Sequence, residues 1–198
     1  MCGIVGYIGF RRACERVLEG LQRLEYRGYD SSGVAVLDHE GQLSVQKSAG
    51  RLTNLEALVD EDLPDSSIGI GHTRWATHGP PTDGNAHPHL GGGCAKGQGH
   101  SVAVVHNGVV ENYQNIKARL EVEGYVFQSE TDSEVIAHLI DSCLKQILSA
   151  GPHLTDDITD SPYVLAVREA IGHLRGTYGL LVLFRDQPDL LVAGRLGS

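Results

Sequence analysis

A cysteine directly after the initiator methionine is the residue of this sequence with the clearest chemical potential. Cys2 is followed by Gly3, whose missing side chain lets a backbone or a substrate approach closely. Methionine is commonly removed before a small residue, and Cys2 would then carry a free α-amine. The reference pKa of that amine is about 7.7–8.0 and that of a thiol is about 8.5, so the amine can act as base for its own thiol. We predict a nucleophile for amide or ester chemistry, against the alternative that the Met-Cys pair is without function.

An Asn-Gly pair could supply the oxyanion hole that such a nucleophile needs. Asn107 has a side-chain amide N–H and Gly108 an unobstructed backbone N–H, at the end of a predicted strand. The same pair is also typical of a two-residue turn that joins two strands. The residues that follow, 111–113, begin a predicted helix and not a return strand, which disfavours the turn.

Two charged residues could bind the backbone groups of an amino-acid substrate. Arg74 offers a planar fork of donors that suits a carboxylate. Asp132 offers the opposite charge for an ammonium group. An acid in the first turn of a helix also stabilises that helix, so both interpretations of Asp132 remain open.

Several histidines between positions 72 and 89 suggest a metal site, but the spacing does not support one. The sequence has no HExxH motif and no closely spaced cysteine pair. A histidine-rich metal hydrolase is therefore the least favoured hypothesis, and the histidines are expected to shape a loop by hydrogen bonding. The glycine-rich segments match neither a dinucleotide fingerprint nor a phosphate loop. We expect no metal and no cofactor.

Composition and charge narrow the class of protein. The chain has 198 residues, with 16 lysines and arginines against 25 acidic residues, and its net charge of −9 disfavours binding to a nucleic-acid backbone. No apolar run reaches the roughly 18 residues of a membrane span, and the N-terminus lacks the basic start of a signal peptide. We expect a cytoplasmic protein without disulfides, in which Cys14 and Cys143 are small buried hydrophobic residues. Cys94 gives no clear signal.

The apolar pattern predicts alternating strands and helices in one domain. Strands are predicted at 4–8, 32–37, 43–47, 68–73, 101–106, 177–184 and 190–193, and helices at 13–26, 52–59, 111–123, 131–149 and 161–174. Thr131 and Glu134 fit a capping box at the start of the fourth helix, and Pro162 suits the first turn of the last. The strands pair as hairpins, which favours an α+β fold of antiparallel sheets with helical layers. The segment from 74 to 100 has no periodicity, and we expect the site there.

Several motifs together resemble the glutaminase domain of the glutamine–fructose-6-phosphate aminotransferases, a branch of the class II, or N-terminal nucleophile, glutamine amidotransferases. The resemblance covers essentially the whole chain, in order, through the segments 2–6, 25–31, 72–79, 85–89, 106–108 and 129–132. The CGI start and the HNG motif are shared by the class in general. EYRGYDS and HTRWATHG are narrower, and they point to this branch and not to the phosphoribosyl, asparagine or glutamate synthase branches.

The resemblance implies a fold and a chemistry. The fold is a four-layer αββα sandwich of the N-terminal nucleophile hydrolase type. Cys2 becomes the mature N-terminus and attacks the side-chain amide of L-glutamine, so that a γ-glutamyl thioester forms, ammonia leaves, and water releases glutamate. Asn107 and Gly108 match the oxyanion hole. Arg74 matches the clamp on the α-carboxylate, and Asp132 the acceptor for the α-ammonium.

Four further positions take roles from the resemblance. Trp75, Thr77 and His78 fall on a loop that closes over bound glutamine, and Arg27 matches a position that orders the surroundings of the nucleophile. In the full-length family enzyme the partner is a sugar isomerase domain, whose fructose 6-phosphate takes the ammonia to give glucosamine 6-phosphate, and the enzyme is expected to be a homodimer. Alternatives are a non-catalytic glutamine-binding fragment and the glutaminase domain of another class II amidotransferase.

Two departures from the family's pattern carry expectations of their own. The segment 90–100 looks longer than usual and is expected to be a flexible surface insertion. The chain ends at Ser198, where the family continues, so we expect 1–198 to be a C-terminally truncated type-2 amidotransferase domain without sugar isomerase domains.

Overall fold

Two antiparallel sheets form the centre of the molecule. The computed structural model describes residues 2–93, 99–150 and 161–197. The first sheet has the order β1-β4-β2-β3 and consists of β1 (Gly3–Ile8), β2 (Ser31–Leu37), β3 (Leu43–Ala49) and β4 (Ile68–Arg74). The second runs in sequence order and consists of β5 (His89–Gly92), β6 (His100–Val110), β7 (Gly176–Phe184) and β8 (Leu191–Leu196).

Helices cover the outer face of each sheet. The first sheet packs against α1 (Ala13–Gln22) and α2 (Leu52–Asp62), with a short 3₁₀ turn at Glu25–Arg27. The second sheet packs against α3 (Tyr113–Val122), α4 (Glu134–Ala150) and α5 (Pro162–Gly172). Ser161 caps α5, since its side chain accepts a hydrogen bond from the Tyr163 N–H at 3.4 Å.

The side chains of β2 point alternately into two hydrophobic cores. Successive residues of a strand point to opposite faces, so Val34 and Val36 pack under the helices of the first sheet while Ala35 and Leu37 face the second sheet. The core between the sheets combines the latter pair with Ile68, Ile70, Ala103, Val105 and Leu183. A third core lies between the second sheet and its helices. These three apolar layers define the αββα sandwich, and the predicted fold class is confirmed.

The strand that carries the Asn-Gly pair is longer than predicted. β6 continues through Asn107 and Gly108 to Val110, and Asn107 lies opposite Gly179 in the ladder with β7. Gly108 has a φ of 142°, and a Cβ there would lie 2.0 Å from the Thr177 carbonyl oxygen. Only glycine fits so close to the neighbouring backbone. The turn alternative is therefore wrong.

A short strand replaces part of the predicted insertion. Leu90, Gly91 and Gly92 belong to β5, which pairs with β6 and packs against α4. A Cβ at Gly91 would lie 2.1 Å from the Ala137 carbonyl oxygen, so the glycine permits close helix packing and is not a sign of a flexible loop. The prediction of a flexible surface loop is wrong for these residues. Residues 94–98, with Cys94, lie outside the described part of the chain.

The predicted capping box does not form. α4 begins at Glu134 itself, and the Glu134 carboxylate accepts hydrogen bonds from the backbone N–H groups of Gln128 (2.9 Å) and Ser129 (2.7 Å). The Thr131 hydroxyl instead pairs with His89 Nε2 at 3.0 Å. The polar side chains before α4 thus connect it to β5 and to the preceding loop.

The remaining cysteines behave as predicted. Cys14 and Cys143 are buried in the outer cores, and both are free thiols. Burial raises the pKa of each thiol, that of Cys143 to about 11. Such thiols are packing groups and poor nucleophiles. Among the described residues, none of the helices has the length and apolar character to cross a membrane.

Candidate active site

The pairing of β1 with β4 places Cys2 beside the loop that follows β4. Gly3 lies opposite Thr73, so the residue before it reaches the backbone of Trp75. Cys2 Sγ accepts a hydrogen bond from the Trp75 N–H at 3.3 Å and lies 3.7 Å from the Trp75 carbonyl oxygen. A thiol S–H can donate to that carbonyl, and a thiolate would still accept the hydrogen bond from the Trp75 N–H. The sulfur therefore has a backbone partner in both states.

The end of β4 holds a buried cation. Arg74 is 4% exposed, and its guanidinium donates to three carbonyl oxygens of the following loop, those of His78, Gly79 (3.3 Å) and Pro80 (3.4 Å). These bonds tie the loop 75–80 to the strand. Within the part of the chain that the structure describes, the partners of this cation are neutral carbonyls, which leaves its charge without a carboxylate.

The carboxylate of Asp132 bonds to a strand and not to the helix that follows it. Its Oδ2 accepts a hydrogen bond from the Val110 N–H on β6 at 2.8 Å, and its Oδ1 lies 4.0 Å from His78 Nδ1. Asp132 is 4% exposed. The capping interpretation therefore does not describe this structure, and the acid is held next to the loop that Arg74 anchors.

Arg27 and the loop that follows β4 lie near Cys2. Arg27 Nη1 lies 3.4 Å from the Cys2 carbonyl oxygen, within reach for donation to it. Trp75 is 54% exposed, and its ring lies near Gly28, where a Cβ would be 3.0 Å from the ring. Thr77 and His78 follow on the same loop, with Thr77 Oγ1 3.3 Å from His78 Nδ1.

These elements enclose one pocket of about 350 Å³, at the small end of the usual range for small-molecule sites. All nine residues predicted for the site line it, namely Cys2, Arg27, Arg74, Trp75, Thr77, His78, Asn107, Gly108 and Asp132. They come from both sheets and from the loops at their ends. The structure thus brings the whole predicted set together, and the role of each residue stays a prediction.

Sequence reasoning missed other residues at this pocket. His87, His106, Val109, Thr131 and Ser133 also line it. His72, behind the pocket, lies with its Nε2 2.6 Å from Asn107 Oδ1. The available signals were the histidine cluster and the HTR and HNG motifs, but spacing alone could not say which histidine touches which functional group.

Three buried histidines form a stack beside the pocket, and one of them, His87, lines it. The ring centroids of His72 and His87 are 4.2 Å apart, and those of His87 and His89 are 4.5 Å apart. Burial lowers the pKa of His72 and of His89 to about 3, and that of His87 well below its usual value. All three are therefore neutral at pH 7. Among the described residues, no group of three or more histidine, cysteine or acidic side chains could hold a metal ion.

These histidines make stability depend on pH. Burial lowers the pKa of His72 and His89 to about 3 and that of His87 well below its usual value, so all three stay neutral in the folded protein at pH 5, whereas the unfolded chain protonates them below about pH 6.5. Because the unfolded state then binds more protons, the free energy of unfolding should fall as pH decreases, on average by about 1 kcal/mol per pH unit for each histidine between pH 7 and 5 and by about 3 for the three. Urea unfolding between pH 7 and 5 measures this slope. His87→Asn should lower it by about a third, with the same change at the exposed His173 as control, and a flat profile would contradict the expectation.

Comparisons with known proteins show to which family the chain belongs. A family model described as a glutamine amidotransferase domain matches residues 94–197, more than half of the chain. A glutamine–fructose-6-phosphate aminotransferase (isomerizing) of Pseudomonas putida is 48% identical over 198 residues, which cover 100% of this chain and 29% of that protein. The chain belongs to the glutamine amidotransferases. An enzyme of the same name from Caldanaerobacter subterraneus is 48% identical over 195 residues, 98% of this chain and 28% of that protein.

Solved structures place the domain among related folds. The glutamine phosphoribosylpyrophosphate amidotransferase of B. subtilis is 26% identical, with a TM-score of 0.67, and the match covers 93% of this chain and 35% of that one. The amidotransferase chain thus spans less than a third of the curated relatives it matches and about a third of this solved structure. The expectation of a glutamine amidotransferase domain, similar over its whole length to the aminotransferase branch, is confirmed.

Proposed function

We propose that this amidotransferase domain hydrolyses L-glutamine to glutamate and ammonia through a γ-glutamyl thioester on Cys2. One observation carries the proposal: a thiol, an Asn-Gly donor pair, a buried cation and a buried carboxylate line one small pocket although they are distant in sequence. These four kinds of group are the ones that an amino acid with a side-chain amide requires for binding and for acyl transfer.

The two buried charges suit the ends of an amino acid. The guanidinium of Arg74 has five N–H donors, and its loop partners are neutral carbonyls, so the α-carboxylate of glutamine would supply the charge that its buried position lacks. Asp132 is the matching acceptor for the α-ammonium. With both ends held, the side chain of glutamine extends towards the sulfur.

The acyl transfer then proceeds through a thioester on Cys2. The free α-amine of Cys2 takes the thiol proton, and the sulfur attacks the side-chain carbonyl carbon of glutamine. The oxyanion accepts hydrogen bonds from the Asn107 side-chain amide and the Gly108 N–H. The C–N bond breaks as the ammonium of Cys2 returns a proton to the leaving nitrogen, which departs as ammonia. Water attacks the thioester, releasing glutamate and restoring the thiol.

The loop after β4 is proposed to cover the bound substrate. Trp75, Thr77 and His78 lie on that loop, and Arg74 holds its carbonyls from within. Excluding water at this stage protects the thioester until ammonia has left. Arg27 is proposed to order the backbone of the nucleophile through the Cys2 carbonyl.

The acceptor of the ammonia is proposed from the relatives, which are longer than the segment that this chain matches. The relatives' names support fructose 6-phosphate as its acceptor, and glucosamine 6-phosphate is the product that the family resemblance implies. We further propose that the domain works beside a sugar isomerase domain, in a homodimer located in the cytoplasm. These proposals concern a whole enzyme of the kind found in Pseudomonas putida, of which this chain covers 29%.

N-terminal processing provides the direct test. The protein is prepared with Met1 removed and, in a host treated with a methionine aminopeptidase inhibitor, with Met1 retained, and intact mass assigns each form. Glutamate release is expected only from the processed form, because an acylated Cys2 nitrogen is an amide and not a base. Equal release from both forms would contradict the mechanism. Tight glutamine binding by the processed form without thioester or ammonia would instead indicate a non-catalytic binding module.

A further inference from the structure

A hydrogen bond between the two sheets reaches the back of the oxyanion hole. His72 lies on β4 and is 0% exposed, and its Nε2 is 2.6 Å from Asn107 Oδ1 on β6. The residues are 35 positions apart. Asn107 Nδ2 has no hydrogen-bond partner in the part of the chain that the structure describes.

The protonation of His72 decides which way this bond runs. Burial keeps the imidazole neutral, so it has one N–H to place. With the proton on Nε2, the ring donates to Asn107 Oδ1, and the unpartnered Nδ1 is a bare acceptor. With the proton on Nδ1, the lone pairs of Nε2 and of Asn107 Oδ1 would face each other at 2.6 Å with no proton between them, which is unfavourable. The Nε2–H tautomer is therefore favoured.

The direction of the bond sets the orientation of the asparagine amide. A donor at Nε2 requires the Asn107 oxygen to face His72, which leaves the amide N–H groups on the side away from it. Since Asn107 lines the pocket, those N–H groups are the ones available to a substrate. A flipped amide would present its oxygen to the developing negative charge and would repel it.

We propose that His72 is a positioning residue that orients the amide of Asn107 so that its N–H groups face the reacting carbonyl of glutamine. This inference rests on the proposed function, because it assigns a support to the same oxyanion hole. His72 does not touch the substrate; it acts through Asn107.

The histidine stack holds His72 in the required orientation. Its ring packs on His87 with an interplanar angle of 38°, and His87 packs against His89, which pairs with the Thr131 hydroxyl at 3.0 Å. Rotation of His72 would break its hydrogen bond and the contact with His87 together. Thr131 precedes Asp132, so the same stack connects the oxyanion hole to the proposed ammonium site.

Substitutions that keep or remove the donor test the proposal. His72→Leu removes it, and His72→Asn is too short to reach Asn107 in the same way, whereas His72→Gln can place an amide N–H where Nε2 lies. The first two should lower kcat for glutamine hydrolysis by about 10–100-fold with KM within about threefold, part of the loss expected for an absent oxyanion donor. His72→Gln should recover most of the rate.

A double-mutant cycle distinguishes positioning from a general structural defect. If His72 acts through Asn107, His72→Leu combined with Asn107→Ala should be no slower than Asn107→Ala alone. Alkylation of Cys2 by iodoacetamide passes through no oxyanion, so its rate should stay unchanged in the His72 variants. Thermal unfolding shows which variants are folded. If His72→Leu does not fold, the comparison of His72→Gln with His72→Asn still tests the proposal.

The outcomes separate this inference from the function on which it rests. Wild-type kcat in a folded His72→Leu or His72→Asn variant, or losses that multiply in the double variant, would overturn the role of His72. In that case Cys2→Ala should still be inactive. Wild-type hydrolysis by Cys2→Ala would instead refute the proposed nucleophile.

Discussion

Replacing Cys2 with alanine is expected to lower kcat for glutamine hydrolysis by about 10⁴-fold or more, since the covalent step is lost and only binding and the oxyanion hole remain. The substitution removes the sulfur that contacts the Trp75 backbone but leaves Arg74 and Asp132 in place. Glutamine binding should therefore persist while turnover disappears.

Ammonia release and intact mass together measure this effect. The unchanged protein should show a transient gain in mass from the γ-glutamyl group when it is quenched during turnover, and Cys2→Ala should show none. Cys14→Ala is the matched control, because that thiol is buried on α1 and burial raises its pKa. It should change stability but not kcat. Equal rates for Cys2→Ala and the unchanged protein would exclude Cys2 as the nucleophile.

Replacing Arg74 with lysine is expected to raise KM for glutamine by about 100-fold or more, the range expected when a desolvated, hydrogen-bonded charge pair is broken. Lysine keeps the charge but loses the planar fork of donors. It also cannot reproduce the bonds to the three carbonyls of residues 78–80, so the loop should be held less firmly. The loss of the donor fork and the weaker hold on the loop should both raise KM.

A substrate analogue separates the carboxylate contact from the support of the loop. 4-Aminobutanamide is glutamine without its α-carboxylate, and the unchanged protein should discriminate strongly against it. Arg74→Lys should lose most of that discrimination if the guanidinium binds the carboxylate. An unchanged ratio of kcat/KM for the two substrates would show that Arg74 supports only the loop. Arg12→Lys, at a half-buried arginine distant from the pocket lining whose ion partners are Glu15 and Asp65, should leave KM unaltered.

Features that depend on near neighbours were predictable from the amino-acid sequence. The hairpin of β2 and β3, the helix that follows Ser161 and Pro162, and the buried positions of Cys14 and Cys143 all follow from apolar spacing, turn residues and caps. Five candidate site residues were also chosen from residue type and position in short motifs, whereas Arg27, Trp75, Thr77 and His78 came only from the family resemblance. These features depend on interactions between residues that are close together in the sequence.

Features that depend on distant contacts were decided only by the tertiary structure. β5 was missed because its glycines are typical of a loop in the sequence, and only the packing of α4 against them requires glycine in a strand. Asn107 and Gly108 continue β6 because they pair with the neighbouring β7. Asp132 bonds to β6 and not to its own helix, and His72 meets Asn107 across the two sheets. Apolar periodicity reports which face of an element is buried, but not which polar atoms the packing of two sheets brings within hydrogen-bond distance.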